Sequence, residues 1–248
     1  MSRSNYQTSY AEGRVLLRTR EQRLLYGALA AALVVAPFAI PTFYVGEASF
    51  IFIMCIASLG LMTLTGFTGQ VSLGQAAFLG IGAYTHAQLL TLGLPLPLSL
   101  LAAAFAAGLA GLAVGLPAIR VSGLHLAVVT LAFAIVTEHV AGRWKSVTGG
   151  HSGLAVPDPV LFGFSLGGPL PFYFLCLAML ALVLWLLLNL MRSATGRAFV
   201  GVRDSEAAAQ GLGIHVARTK VLAFVISAAV SGLAGALLAH QTQFITPE

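Results

Sequence analysis

A polytopic bundle of transmembrane α-helices is the fold class this sequence predicts, and three observations lead to it. Hydrophobic residues fill 58% of the 248 positions and charged residues 8%, with a mean hydropathy of +0.91, a composition far too apolar for a soluble globular domain. The apolar residues are gathered in continuous runs close to the ~20 residues that a bilayer requires of a helix. Those runs lack the period-two alternation of barrel strands, and in lipid a helix satisfies its own backbone groups.

Seven runs meet this description, at 24–44, 49–65, 75–92, 97–117, 124–141, 171–190 and 221–240. The segment 1–23 is basic, with Arg3, Arg14, Arg18, Arg20 and Arg23, and is expected to be cytoplasmic, leaving 24–248 as the membrane domain. The first run exceeds the length of a signal-peptide core and ends in Pro37, Pro41, Phe43 and Tyr44 without a small-residue cleavage site, so it reads as an uncleaved span. With the N-terminus placed inside, Arg120 and the five cations of 191–220 join the first five, and only Arg143 and Lys145 of the 13 Lys and Arg fall outside. That asymmetry fits the positive-inside rule. It also explains the net charge of +5 as topology and lipid-headgroup contact rather than nucleic-acid binding.

Between the second and third runs lies TGFTGQVSLGQ, residues 65–75, where Gly69 and Gly74 alternate with Gln70, Ser72 and Gln75. The mixture weakens a helix and leaves backbone groups free. Two readings stand equally: a broken helix lining a polar substrate pathway, or a cytosolic turn. The third run carries His86, expected to hydrogen-bond to a neighbouring helix as a neutral imidazole. Gly108, Gly111 and Gly115 in the fourth run, and Gly232 and Gly235 in the seventh, have the spacing of close helix packing. Glu138 and His139 end the fifth run. Intramembrane ionisable residues are functional candidates, but Arg143 and Lys145 follow closely, so a headgroup-level ion pair is expected for Glu138. The loop 142–170 is rich in Gly and Pro and is expected to be irregular and extracytoplasmic. Cys55 and Cys176 sit singly in apolar runs, which argues against a disulfide framework or a cysteine metal site.

The long cationic segment 191–220 precedes the last run. In it Asp204 or Ser205 can cap a short helix, Glu206 lies near that helix's positive end, and Gly211 or Gly213 can close it in a left-handed conformation. Ala207, Ala208 and Ala209 give it a small-residue face. A helix of composition Glu-Ala-Ala-Ala-Gln has little apolar surface for lipid, which favours docking on a cytosolic protein over resting on headgroups. The sequence lacks a phosphate-binding GxxxxGK[ST] loop, HExxH, GxSxG and the dinucleotide fingerprint. It therefore predicts no enzyme, no cofactor and no metal, and any ATP that drives transport is hydrolysed on another polypeptide.

These residues carry a family resemblance. SEAAAQGLGI, preceded by GRAFVGVRD, resembles the EAA coupling loop of bacterial ABC-importer permeases. LTGFTGQVSLGQAAFLGIGAY at 64–84 is similar to the signature of branched-chain amino acid permeases of the LivM type, and so are LPAIRVSGLHLAVVTLAFA at 116–134, VTGGHSGL at 147–154 and TKVLAFVISAAVSGLAGAL at 219–237. The resemblance implies a multi-pass protein of the bacterial inner membrane that imports branched-chain or related hydrophobic amino acids. Urea or short amides are alternative cargo within the family, and a secondary transporter or channel is the alternative of another class. Implied partners are a second homologous permease, two cytosolic ABC ATPases, an extracytoplasmic solute-binding protein and membrane lipids. Asp204, Glu206, Ala207, Ala208 and Gly213 would form the ATPase-coupling element, and Gly69, Gln70, Ser72, Gly74 and Gln75 fall in the family signature. The family pattern places Gly six residues after Glu, whereas Gly211 and Gly213 flank that position. Members of the family continue into further spans beyond the point matching residue 248, so the resemblance implies either a chain truncated at its C-terminus or an incomplete translocation half.

Overall fold

The computed structural model describes residues 20–247 apart from 122, 162 and 163, so most of the basic segment 1–23 lies outside the described residues. Ten α-helices follow in chain order among them: α1 (Arg20–Ala39), α2 (Thr42–Leu61), α3 (Gln75–Thr91), α4 (Leu96–Ala118), α5 (Leu124–Arg143), α6 (Lys145–Thr148), α7 (Pro169–Arg192), α8 (Ala194–Asp204), α9 (Glu206–Gly211) and α10 (Val216–Thr242). A π-helical turn, Met62–Gly66, extends α2. With it, α2 joins α4, α5, α7 and α10 as the five helices long and apolar enough to cross a membrane. All seven apolar runs of the sequence fall on helices, the first of them broken at 40–41 between α1 and α2. Two are shorter than a full span: the apolar part of α1, Leu24–Ala39, and α3, whose 17 residues cover about 25 Å at 1.5 Å per residue.

The core is assembled on α10, which packs against α2, α3 and α4. Small residues allow this, because apolar side chains gain little by leaving lipid and helices associate through close backbone approach. A side chain at Gly232 would meet Ala107 and the Ala103 carbonyl, one at Gly111 would meet Ala228 and the Phe224 carbonyl, and one at Gly235 would run into the Leu79 backbone. The glycine-bearing stretches of α4 and α10 are thus facing surfaces of one contact. Phe224, Ala223 and Ala228 of α10 are fully buried there beside Phe78 of α3.

At the periphery, α1 is exposed along most of its length. It is tied to α7 by the Tyr173 hydroxyl, which donates to the Leu33 carbonyl at 2.7 Å. Such a bond is worth about 1 kcal/mol. Tyr173→Phe is expected to speed amide exchange in α1 by about fivefold, the factor that free energy corresponds to, while the melting temperature of the remaining bundle holds.

The loop between α5 and α7 is irregular, as its Gly and Pro content requires. It contains α6, a 3-10 turn (Gly150–Ser152) and strands β1 (Leu154–Ala155), β2 (Val160–Leu161) and β3 (Phe164–Ser165), while β4 (Phe244–Ile245) follows α10. The antiparallel β1–β4 pair joins this loop to the end of α10, a long-range tie with no local sequence signal. On the same face, His86 of α3 and His240 of α10, both buried, meet Nε2 to Nε2 at 2.8 Å. One ring donates and the other accepts, so His86 finds its partner on a neighbouring helix.

Candidate functional site

The 191–220 segment folds as two helices at the face opposite β1–β4. Ser193 caps α8, accepting from the Gly196 amide at 3.4 Å, and Phe199 and Val202 turn inward. Ser205, rather than Asp204, caps α9: its hydroxyl accepts from the Ala208 amide at 3.2 Å. Glu206 occupies the first turn of α9, where the helix dipole favours a carboxylate. The helix closes at Gly213, which has φ +81°, while the Ile214 amide donates back to the Ala209 carbonyl at 3.0 Å, the arrangement of a glycine-terminated helix end. Gly213 is thus the residue that ends it. Ala209 is buried, whereas Ala207, Ala208 and Gly211 are exposed and Leu212 is 83% exposed. The six-residue helix presents a small apolar tip to its surroundings.

What holds this helix to the bundle is Lys220, read from sequence only as a topology signal. Its ammonium is 2.7 Å from the Glu206 carboxylate, with the lysine side chain 6% exposed. The Lys220 carbonyl accepts from Gln70 Nε2 at 3.5 Å, and that same amide group donates to Thr68 Oγ1 at 2.9 Å. From α8, Arg203 pairs with Asp204 at 3.1 Å and donates to the Gly66 carbonyl at 3.1 Å. Gly69 lies under Arg203. Its φ is +69°, and a Cβ there would stand 3.0 Å from Arg203 Cγ, so both conformation and space call for glycine. Gly69, Gln70, Asp204, Glu206 and Lys220 share the wall of a polar pocket of about 260 Å³. The two sequence-predicted elements therefore meet.

Residues 69–74 are neither helix nor strand, and they climb into the bundle. Gly60, Gln75, Ser227 and Ser231 lie at one level, because a Cβ at Gly60 would meet Ser231 Oγ, the Ser227 carbonyl and Gln75 Nε2. Along α10 that level is about 10–16 Å from Lys220. Gln70 is at the Lys220 end and Gln75 at the serine level, so the chain between them covers this height in extended form, which explains why α3 is short. Two of its backbone amides are answered by side chains: the Leu73 amide by Thr130 Oγ1 at 3.0 Å, the Gly74 amide by Ser72 Oγ at 3.3 Å. Gln75 donates to Ser227 Oγ at 3.1 Å and to Ser231 Oγ. Irregular backbone is tolerated at such depth only when protein shields it in this way. Gly74 packs against α5, where a Cβ would stand 2.5 Å from the Thr130 carbonyl.

Beyond that contact α3 and α5 diverge around a cleft of about 600 Å³. Glu138 lines it. The expected ion pair with Arg143 or Lys145 is absent among the described residues; five residues along a helix is a turn of about 140°, which points the side chains apart, and α5 ends before Lys145.

Fold and site together define a multi-pass helical membrane protein with a capped surface helix lashed to an irregular intramembrane segment. The family comparison gives that class its name: residues 43–248 match the family described as branched-chain amino acid transport system / permease component, and the chain belongs to it. It is 34% identical over 93% of its length to the high-affinity branched-chain amino acid transport system permease protein LivM of Escherichia coli (strain K12), and 33% identical over 93% to the LivM protein of Salmonella typhimurium (strain LT2). It is 31% identical over 78% of its length to the autoinducer 2 import system permease protein LsrC of Enterobacter sp. (strain 638). The chain spans 60% of the two LivM proteins and 54% of that LsrC protein. No solved structure matches it.

Proposed function

We propose that this chain is a permease subunit of an ATP-driven importer of the bacterial inner membrane, moving branched-chain or related hydrophobic amino acids into the cytoplasm. The observation that carries the reading is the Glu206–Lys220–Gln70 connection, a continuous polar link from an exposed helix to the segment that leads into α3. A cytosolic ATPase pushing on Ala207, Ala208 and Leu212 would move α9 and α8 as a body. Arg203 and Lys220 would pass that movement to residues 65–75. Gly69 and Gln70 sit at the receiving end, and Ser72, Gly74 and Gln75 carry it along the climb toward the cleft, which is how the segment serves the substrate pathway. The cargo follows the LivM relatives, and the partner set follows the same reading: a second permease, two ATPases and a solute-binding protein. Arg120, Arg192, Arg197, Arg203 and Arg218 lie at or near the α9 face, and that face is the cytoplasmic one on the positive-inside rule. On this reading the N-terminus is cytoplasmic as well.

Affinity purification from mild detergent tests the reading. ATPase subunits are expected to copurify, and leucine uptake by the reconstituted complex is expected to require ATP. Uptake by this chain with no ATPase present would defeat it.

A further inference from the structure

We propose that the cleft between α3 and α5 holds the transported amino acid, with Glu138 taking its ammonium group and Tyr84 its carboxylate. The inference rests on the reading of this chain as an amino acid permease and assigns a ligand site within it.

The cleft's volume of about 600 Å³ lies within the ~300–1,000 Å³ usual for small-molecule sites. Its α3 wall begins directly after Gln75 with Ala76, Ala77 and Gly80, and Ala134 faces them from α5. Gly80 sets the free volume. A Cβ there meets nothing within 4 Å, whereas a Cβ at Gly82 would run into the Gly232 backbone. Packing demands the glycine at 82; the glycine at 80 leaves room.

Tyr84 and Glu138 both line this apolar cleft, and neither side chain has a hydrogen-bond or ion-pair partner among the described residues. The Tyr84 hydroxyl is buried without a hydrogen bond on a residue 8% exposed. A buried hydroxyl left unpaired costs about 1–3 kcal/mol, a cost that a ligand oxygen removes. Glu138 is exposed to the cleft and forms no ion pair among the described residues. The neighbouring polar groups are committed elsewhere: Thr85 donates to the Ile81 carbonyl at 2.7 Å, Thr137 to the Phe133 carbonyl at 2.8 Å, and Gln88 to the Val147 carbonyl. Tyr84 and Glu138 also share a depth. From the Gly74–Thr130 contact, α3 and α5 run in the same direction, which places Tyr84 about 15 Å and Glu138 about 12 Å along. One anion and one hydroxyl donor above a floor of alanine and glycine match a zwitterion with a compact apolar side chain. A neutral amide would leave the Glu138 charge uncompensated in a low-dielectric site, and an anionic solute would be repelled.

Maleimide labelling of the assembled transporter tests this. Cys55 and Cys176, the free cysteines, are replaced by alanine and Gly80→Cys supplies one thiol where space exists for it. L-leucine is expected to slow labelling, while 4-methylpentanoate, which is leucine without its amine, has no effect. Glu138→Gln is expected to erase the protection. Tyr84→Phe raises the leucine concentration needed by about tenfold, the equivalent of one hydrogen bond to a charged group. Labelling indifferent to leucine, equal protection by the deaminated analogue, or a thiol that never labels because another subunit covers it would each overturn the assignment. Labelling requires no ATP hydrolysis. Failure of the importer reading would therefore appear as ATP-independent uptake with leucine protection intact.

Discussion

Reversing the charge of Glu206 is expected to cut transport by at least about tenfold. In Glu206→Lys the Lys220 ammonium, on a side chain 6% exposed, loses its carboxylate and gains a like charge in the same place. Stripping the partner from a buried charge costs about 3–5 kcal/mol. The carboxylate is half-exposed, so water recovers part of that, and a penalty near 1.4 kcal/mol already corresponds to about tenfold. Uptake is expected to fall by at least about tenfold through loss of the seated α9. The charge-swapped double variant, Glu206→Lys with Lys220→Glu, restores attraction between the same positions, and its partial recovery is the signature of a direct pair. Uptake and ATPase recovery measured on the two single variants and the double variant check this together. Normal uptake by Glu206→Lys would refute the link between helix and bundle.

The second large effect is structural. Gly235→Val places a β-branched side chain against the Leu79 backbone of α3, and backbone cannot yield as a flexible side chain would. Overpacking typically costs about 1–3 kcal/mol, and here relief requires separating α10 from α3, so the effect is expected at the top of that range. The variant should lose its monodisperse peak in fluorescence-detected size-exclusion chromatography and its thermal transition. Gly80→Ala is the control for folding, with open space around that position on α3, and should keep the wild-type elution peak and thermal transition. Equal behaviour of the two variants would mean that the α3–α10 approach is looser than described.

Much of this arrangement is legible in the sequence, because the signals are local. Run length and continuity mark every apolar helix. Ser205, Glu206 and Gly213 specify the start, first turn and end of α9 through backbone rules that act within a few residues. Glycine spacing marks the α4 and α10 surfaces that meet. What escapes is non-local or depends on direction. Lys220 reads as one more cation at a membrane boundary, and its burial against Glu206 follows only once α9 folds back on the start of α10. The extended climb of 69–74 escapes because Gly and Gln permit a surface turn equally well; the hydroxyls that shield it, on Thr130, Ser227 and Ser231, come from helices far along the chain. Glu138 is misjudged because nearness in sequence to Arg143 is not nearness on a helix. Tyr84 looks like an ordinary aromatic core residue until its hydroxyl is found without a partner.

The position of α10 has a consequence for biosynthesis. Its partners α2, α3 and α4 all precede it in the chain and so leave the ribosome first. Until α10 emerges, the backbone grooves at Gly82 and Gly111 face lipid, and the Gln75 amide has neither Ser227 nor Ser231 to receive its hydrogens. The bilayer must therefore shelter a polar, incompletely packed intermediate for as long as translation takes to reach residue 242. A synthesis pause or nonsense codon before that point leaves those groups uncovered.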